Sequence, residues 1–493
     1  MKEQSKFSKV LSILLSIVLV ISSFYLLYQV IRLNVLPSKF LFPLTIGVVV
    51  LDAIFILLLI YFSKNVVSKI ICILLTLFIC AASCMGGYYI SKTQGALSNI
   101  TSVAKHAKNT VSVVVKESSS IKNKSQLNGV SVGTLRLNEQ GSKKALKELS
   151  SEGIVLNQTE YDSMTALLEA FYNGEVDSII INESSRSQIL DMEAYSNFDS
   201  NTRVVYQTSY KVKNNDSASS VSDITSKPFN VLISGSDTRG GFDENGRSDV
   251  IMVATVNPKT HTILLTSVPR DFYVTTACDA GDGCMQGALD KITHTGIHGT
   301  NTTKRTVEQL LGIEINYTFK VGFDTVTELV DILGGVDVYV EPGYATTTSE
   351  FSVHEGVNHL NAQQALAFAR ERYSYTEGDR QRTKNQQQVL MGIVKEATKP
   401  SVITNYAAIM DTMANTFSTT MSNEEITDLI KYQLNNNPTW KMEQYMVDGT
   451  GDTLMCAELG DAASVMVPDQ STVKMAKDKI NAVLAGKSSE DVK

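Results

Sequence analysis

Basic charge is scarce in this chain. Its 44 Lys and Arg stand against 51 Asp and Glu, a formal net charge of −7 with a sequence pI near 5.5, which argues against an electrostatic grip on nucleic acid. Only Met1 to Lys9 precede the first long apolar run, with no helix-turn-helix pattern among them. No nucleic-acid partner is therefore expected. Cysteine is sparse too, with 6 in all and none at zinc-ligand spacing. Cys72, Cys80 and Cys84 fall in an apolar run, where a thiol serves as a small hydrophobe, and Cys456 has no obvious partner. Cys278 and Cys284 flank "DAGDG", which leaves a short disulfide and two free thiols both open. His294 and His298 are four apart but lack a third ligand, so no metal is assigned to them. There are no internal repeats.

Long apolar runs are what the amino-terminal part does have. From Val10 to Tyr28 the stretch "VLSILLSIVLVISSFYLLY" carries no charge and is long enough to cross the hydrocarbon core as a helix. Two more runs follow, about Phe40 to Phe62, interrupted by Asp52, and about Ile70 to Ile90. No small-residue cleavage site follows the first, which argues against a removed signal peptide. Three spans put the two ends on opposite sides. Lys2, Lys6, Lys9, Lys64 and Lys69 outnumber Arg32 and Lys39 of the other connection, so the expected orientation is a cytoplasmic amino terminus with the carboxy-terminal domains extracellular.

The remainder reads as α/β. From about Val111 to Leu190, "VSVVV", "GVSVGTL", "SKKALKELSSEG", "DSMTALLEAFYNG" and "VDSIIIN" give strand, strand, helix, helix, strand. This order loosely resembles one lobe of a solute-binding protein, with a small α/β spacer as the plainer alternative. The polar run Lys213 to Pro228 is a linker. Beyond it, "FNVLISGSD" is a strand ending in a loop, "DVIMVATV" and "HTILLTSV" form a hairpin across Asn257 to Thr260, and "YTFKV", a helix from about Asp324 to Leu333 and "VDVYV" repeat strand, helix, strand. The expected division is 1–98 membrane region, 99–220 accessory α/β domain and 221–493 larger α/β domain with a mixed central sheet flanked by helices.

Four charged clusters each follow an apolar run, which places them at element ends where loops converge. They are "SGSDTR" (Asp237, Arg239), "GRSDVIM" (Arg247, Asp249), "SVPRD" (Arg270, Asp271) and "LAFARERYSYTEGDRQR", which holds Arg370, Arg372, Arg380 and Arg382. Arginine's fork of donors suits two-oxygen acceptors such as phosphate. If "GDRQRTKNQQQVLMGIVKEA" is a helix, Asp379, Arg382 and Gln386 share one face while Arg380 points elsewhere. A solvated surface of intrahelical ion pairs is the alternative for any single cluster; the company of three more favours an anion site.

"LISGSDTRGG", "GRSDVIMVATVNPKT", "SVPRD", "KITHTGIHG", "GGVDVYV", "GVNHLNAQQALAFARER" and "DRQRTKNQQQVL" resemble, in order and spacing, the LytR-CpsA-Psr (LCP) domain over about Phe229 to Lys395. The three spans and the intervening α/β domain further resemble the capsular-polysaccharide branch of that family. The resemblance implies a membrane phosphotransferase that moves a glycopolymer from a polyprenyl diphosphate to peptidoglycan and releases polyprenyl phosphate. It also implies roles. Magnesium, or manganese, falls to Asp237 and Asp249, and diphosphate binding to Arg270, Arg370, Arg372 and Arg382 with Gln386, seconded by Arg239 and Arg247. Asp249, Arg270, Asp271 and Arg372 are the catalytic candidates, with Asp249 or Asp271 as the proton acceptor. Its partners would be the lipid-linked polysaccharide, peptidoglycan, membrane lipid and membrane proteins of capsule synthesis. Where the family often shows Lys-x-Asn-His, this chain has Lys291, Ile292, Thr293 and His294, which puts any amide contact there in doubt. The run "LLGIEINYTFKVGFDTVTELVDIL" reads equally as groove wall or ordinary core. Two other functions share the same residues: a lipid-diphosphate hydrolase, with water as acceptor, and a non-catalytic polyprenyl-phosphate sensor or tether.

Overall fold

The computed structural model describes residues 6–493 except 63–64, 104–105, 137–138, 214–217, 237–243, 280–282 and 400–401. The chain divides into two compact units, one of residues 1–99, 398–414 and 422–438, the other of residues 100–397, 415–421 and 439–493.

The first unit is built on helices α1 (Lys6–Leu33), α2 (Ser38–Leu57, continued by a π-helical turn to Phe62) and α3 (Val66–Val103). All three are long and apolar enough to cross a membrane. Large apolar side chains such as Phe24, Phe78 and Val66 are exposed along them, as lipid-facing residues are. Asp52, the one acid in the second run, is buried and accepts a hydrogen bond from Ser23 Oγ at 2.9 Å, so α1 satisfies the polar group that α2 carries. The two later segments join this unit through polar contacts: Lys92 pairs with Asp411 at 3.0 Å, and Lys431 donates to Asn34 Oδ1 at 2.7 Å.

The second unit begins with a five-stranded sheet. Its elements are β1 (His106–Lys116), β2 (Ser131–Leu135), α4 (Glu139–Ser151), β3 (Asn157–Tyr161), α5 (Met164–Asn173), β4 (Ser178–Asn182), α6 (Arg186–Asp191), α7 (Phe198–Asn201) and β5 (Thr202–Lys213). The strand order is β3-β2-β4-β1-β5. β2 is parallel to both its neighbours, as the βα repeats require, while β1 runs antiparallel to β4 and β5. The sequence pattern predicts three of these strands, β1, β2 and β4; β3 and β5 are additions. After β5 the polar stretch is laid against the next sheet: Ser219 N donates to Asn316 O at 3.0 Å, and Val221 N to Tyr317 Oη at 3.1 Å.

That next sheet holds β6 (Phe229–Ser236), β7 (Ser248–Asn257) and β8 (Thr262–Ser267), then the short pair β9 (Tyr273–Thr275) and β10 (Leu289–Lys291), a 3₁₀ stretch Ile292–His298, α8 (Thr300–Leu311) and β11 (Tyr317–Gly322). The chain continues through α9 (Phe323–Leu333), β12 (Val336–Val340), β13 (Thr346–Thr347), β14 (Ser352–Val353), β15 (Gly356–Leu360), α10 (Ala362–Arg370), α11 (Asp379–Ala397) and α12 (Val402–Thr416). It ends with β16 (Phe417–Thr419), α13 (Asn423–Asn436), β17 (Lys441–Met446), β18 (Gly449–Cys456), β19 (Asp461–Pro468) and α14 (Gln470–Leu484). The central sheet has six strands in the order β16-β11-β6-β7-β8-β17. It is mixed: β11 and β17 are parallel to β6 and β8, and the other pairings are antiparallel. The class is α/β, as expected. The hairpin β7–β8 and the helix α9, stopped by Gly334 at φ +81°, fall where the sequence puts them.

Strand alternation decides what each face carries. Leu232, Ile251, Val253 and Leu264 point into a core closed by Val307 and Leu311 of α8 and by Val473, Ala476 and Ile480 of α14. Ile233, Val250 and Met252 point the other way, toward α9, α10 and α11. Cys278 and Cys284 are joined as a disulfide, while Cys456 is buried beside Leu459 and Val465.

The carboxy-terminal stretch is tied down by Glu443 on β17, which is buried and accepts from Ser488 Oγ at 2.7 Å and Ser489 N at 2.8 Å beside Lys441 at 2.8 Å. Burial alone would raise its pKa, but Lys441, Ser489 and Ser488 outweigh that and hold it at about 2. Because the folded value lies below the ordinary one, the stabilisation is complete above about pH 4.5 and is lost as pH falls toward 2. Glu443→Gln is expected to cost about 2 to 3 kcal/mol near neutral pH and almost nothing near pH 2. Denaturant titrations at both pH values check this; an equal loss at both would refute it.

Candidate functional site

At one end of the central sheet the strand termini deliver charge. β7 starts at Ser248 and presents Asp249, and β8 runs out at Ser267 into the turn that carries Arg270 and Asp271. Thr293 N donates to Arg270 O at 3.0 Å, which fixes the turn against the 3₁₀ stretch. Arg270 Nη1 donates to Asp249 Oδ1 at 2.8 Å, and Thr293 Oγ1 reaches the same oxygen at 3.4 Å. Lys291 Nζ holds Asp271 Oδ1 at 3.1 Å, and Arg270 Nε lies 3.8 Å from Asp271 Oδ2.

Helix α11 supplies the opposite wall. Asp379, Arg382 and Gln386 share one face, with Arg382 paired to Asp379, while Arg380 turns away to Asp448 at 2.8 Å. The helix is rich in amides, and buried ones anchor it: Gln387 Nε2 donates to Tyr445 O at 2.9 Å, and Asn385 Nδ2 to Phe368 O at 3.1 Å. Arg372 follows the end of α10. Its Nη2 donates to Tyr373 Oη at 2.5 Å, and its guanidinium lies 4.7 Å from that ring's centroid. Arg370 ends α10 with an exposed side chain. Arg247 pairs with Asp191 of α6 and lies 3.9 Å from Asp249 Oδ2. Asp237 and Arg239 lie outside the described residues, although Ser236 before Asp237 pairs with Ser248 before Asp249.

Electrostatics make these charges one group. Burial works against the charge on Arg270, yet Asp249, Asp271 and Asp379 together outweigh it and raise its pKa above arginine's ordinary value. Arg382 goes the other way: burial, with repulsion from Arg270 and Arg372, lowers its pKa despite Asp379 and Asp249. In addition, Arg247 Nε, Arg270 Nε and Arg382 Nε are buried donors with no hydrogen-bond partner among the described residues, as are the hydroxyls of Ser236 and Ser267. Donors left over on several arginines are what an anion with many oxygens would satisfy.

Beside the cluster runs an open apolar groove with about 580 Å³ of empty space. One wall is the sheet face of Ile233, Val250, Met252 and Val321; the other is Leu366 of α10 with Val389, Leu390 and Ile393 of α11. Gln386 lines the groove one turn from Arg382, and Val250 lines it next to Asp249. The run Leu310 to Leu333 is divided between the two readings it allowed. Leu311 and Ile315 are core, and Val321 and Val326 are groove wall.

The LytR_cpsA_psr family model matches residues 194–482. The chain belongs to the LytR-CpsA-Psr family. It is similar to the polyisoprenyl-teichoic acid–peptidoglycan teichoic acid transferase TagU of Bacillus cereus strain AH820, 32% identical over 241 residues, covering 48% of this chain and 76% of that protein. TagU of Bacillus subtilis strain 168 is 34% identical over 203 residues, 41% of this chain and 63% of that one. Among solved structures, B. subtilis TagU is 28% identical with a TM-score of 0.40, covering 52% of this chain and 97% of that one. TagT bound to LIIa-WTA is 23% identical with a TM-score of 0.43, covering 55% and 97%.

Within this LCP chain, Lys291 is a site residue that the motifs do not single out. Lys291 opens "KITHTGIHG", and only the β9–β10 pairing brings it to Asp271. His294 bonds Asp290 at 2.7 Å and His298 bonds Glu458 at 2.9 Å. No cluster of three or more metal-binding side chains occurs among the described residues. Asp249 offers a carboxylate oxygen of the kind a divalent ion takes, and Asp237, the other candidate ligand, lies outside the described residues.

Proposed function

We propose that this LCP enzyme transfers a glycopolymer from a polyprenyl diphosphate to a sugar hydroxyl of peptidoglycan, releasing polyprenyl phosphate. The observation that carries this reading is the meeting of an arginine cluster with an apolar groove at Arg382 and Gln386. An amphiphile with a diphosphate head and a prenyl tail satisfies both halves at once, and neither half alone calls for one. The teichoic acid transferases similar to this chain act, by name, on polyisoprenyl-linked polymers and peptidoglycan.

The hydroxyl oxygen attacks the phosphorus that bears the sugar, and the bond from that phosphorus to the bridging oxygen breaks. Arg270, Arg372 and Arg382 stabilise the charge that gathers on the departing prenyl phosphate. The hydroxyl proton passes to a carboxylate; Asp271, with its side chain 31% exposed against 11% for Asp249, is the one open to an incoming sugar. Magnesium or manganese, held by Asp249 with Asp237, would offset phosphate charge. Capsular polysaccharide is the proposed polymer, on the resemblance of the three helices and accessory domain to that branch. The proposed division is 1–98 in the membrane, 99–220 accessory and 221–493 catalytic, with the amino terminus cytoplasmic and the later domains extracellular.

The test uses the full chain in detergent with a polyprenyl-diphosphate glycan, a peptidoglycan oligomer and magnesium. Sugar phosphate joined to the peptidoglycan, with equimolar polyprenyl phosphate, is expected. Release without joining would make the protein a hydrolase, and lipid binding without turnover would make it a sensor or tether.

A further inference from the structure

The accessory sheet and the catalytic sheet meet on the short segment that leads into β7. Glu244 at its start has a buried side chain that accepts from Thr110 Oγ1 and pairs with Lys108 Nζ at 3.1 Å, both on β1. At its end, Arg247 Nη1 pairs with Asp191 Oδ2. From beneath, the 3₁₀ stretch presses on the same segment: a Cβ at Gly296 would stand 2.5 Å from Gly246 O and Ser248 N, so only glycine fits. The segment that delivers Arg247 and Asp249 is thus clamped between the catalytic core and the accessory domain.

Asp191 is placed for this by its own element. It is the last residue of α6, whose first turn is fixed by Arg186 on Glu183 at 2.6 and 2.8 Å and on Asp199 at 3.0 Å. A carboxylate at the carboxyl end of a helix faces the negative pole of the helix dipole, which a cation beside it offsets. Arg247 is that cation, and the pairing uses only Nη1. Its Nε, buried, has no hydrogen-bond partner among the described residues, and its Nη2 is 3.9 Å from Asp249. The Nε–Nη2 edge, the one that grips two oxygens of a phosphate side-on, is thus unspent among the described residues.

We propose that Asp191 of the accessory domain is a positioning residue for the diphosphate site: it holds Arg247 by one nitrogen so that the other edge of the guanidinium meets the substrate. The inference rests on the proposed diphosphate site, and it gives the accessory domain a part in donor binding. A helix-end aspartate 59% exposed in its side chain has little packing to lose, and the Arg247→Ala background separates its effect through Arg247 from any other.

Binding of farnesyl diphosphate to the full chain in detergent, by calorimetric titration, tests this without requiring turnover. Asp191→Asn is expected to raise the Kd about fivefold, Asp191→Glu to restore most of the loss, and Asp191→Asn to add nothing in an Arg247→Ala background. An unchanged Kd in Asp191→Asn, or a penalty of the same size in the Arg247→Ala background, would overturn the inference. If the predicted binding pattern holds while no polymer is transferred, the transferase reading fails alone; if the wild-type chain does not bind the probe, both fail.

Discussion

Arg270→Lys is expected to lower turnover about 100- to 1000-fold while the melting temperature stays within a few degrees of wild type, an effect of the size seen when one fixed donor to a developing oxyanion is lost. The substitution keeps the positive charge, so the attraction to Asp249 and Asp271 survives and the buried acids are not stranded. What it removes is the planar fork. Arg270 spends Nη1 on Asp249 and leaves Nε without a hydrogen bond, so the remaining nitrogens are those that a phosphate would engage. An ammonium that pairs with Asp249 cannot also present two parallel donors to a leaving oxygen. Single-turnover rates for polymer transfer, beside thermal melts, make the comparison. Activity within a few-fold of wild type would mean that Arg270 serves only to neutralise Asp249.

The parts of this site that were legible in the sequence are those set by short-range periodicity. Asp379, Arg382 and Gln386 fall on one helical face because steps of three and four do so in any α-helix, and the same rule sent Arg380 elsewhere. The hairpin that carries Asp249 and the turn with Arg270 were legible from two apolar runs and a proline turn. What was not legible depends on pairings between distant strands. β3 reads "NQTEY", polar but for Tyr161, because it is the edge of the accessory sheet and only that ring packs on the core; its parallel register with β2 is what makes it a strand. Lys291 reaches Asp271 through the β9–β10 register. Nothing in local spacing could have joined Asp191 to Arg247, or placed Val250 across a groove from Leu390. The apolar run Leu310 to Leu333 was ambiguous for a physical reason: a groove wall and a core face have the same composition, and only the space in front of them differs.

That ambiguity makes the groove the place for the second large effect. Along α11, Gln386, Val389, Leu390 and Ile393 follow helical spacing and line the groove together, and Leu390 is only half-buried. Leu390→Trp adds bulk to the open groove in which the proposed prenyl tail would lie. Displacing about two methylenes of a bound chain costs about 1.6 kcal/mol, which is more than tenfold in affinity. A long-chain polyprenyl-diphosphate donor should therefore show a KM raised at least about tenfold with kcat little changed. A donor whose short tail ends before Leu390 should be almost unaffected, because its head still meets Arg270, Arg372 and Arg382. If the space were instead a packing gap of the core, extra bulk would strain α11 against the sheet, lower the melting temperature and penalise both donors alike. The ratio of KM values for long and short donors, in wild type and variant, separates the two accounts. A ratio unchanged by Leu390→Trp would remove the groove from lipid binding and leave the arginine cluster to recognise a diphosphate on its own.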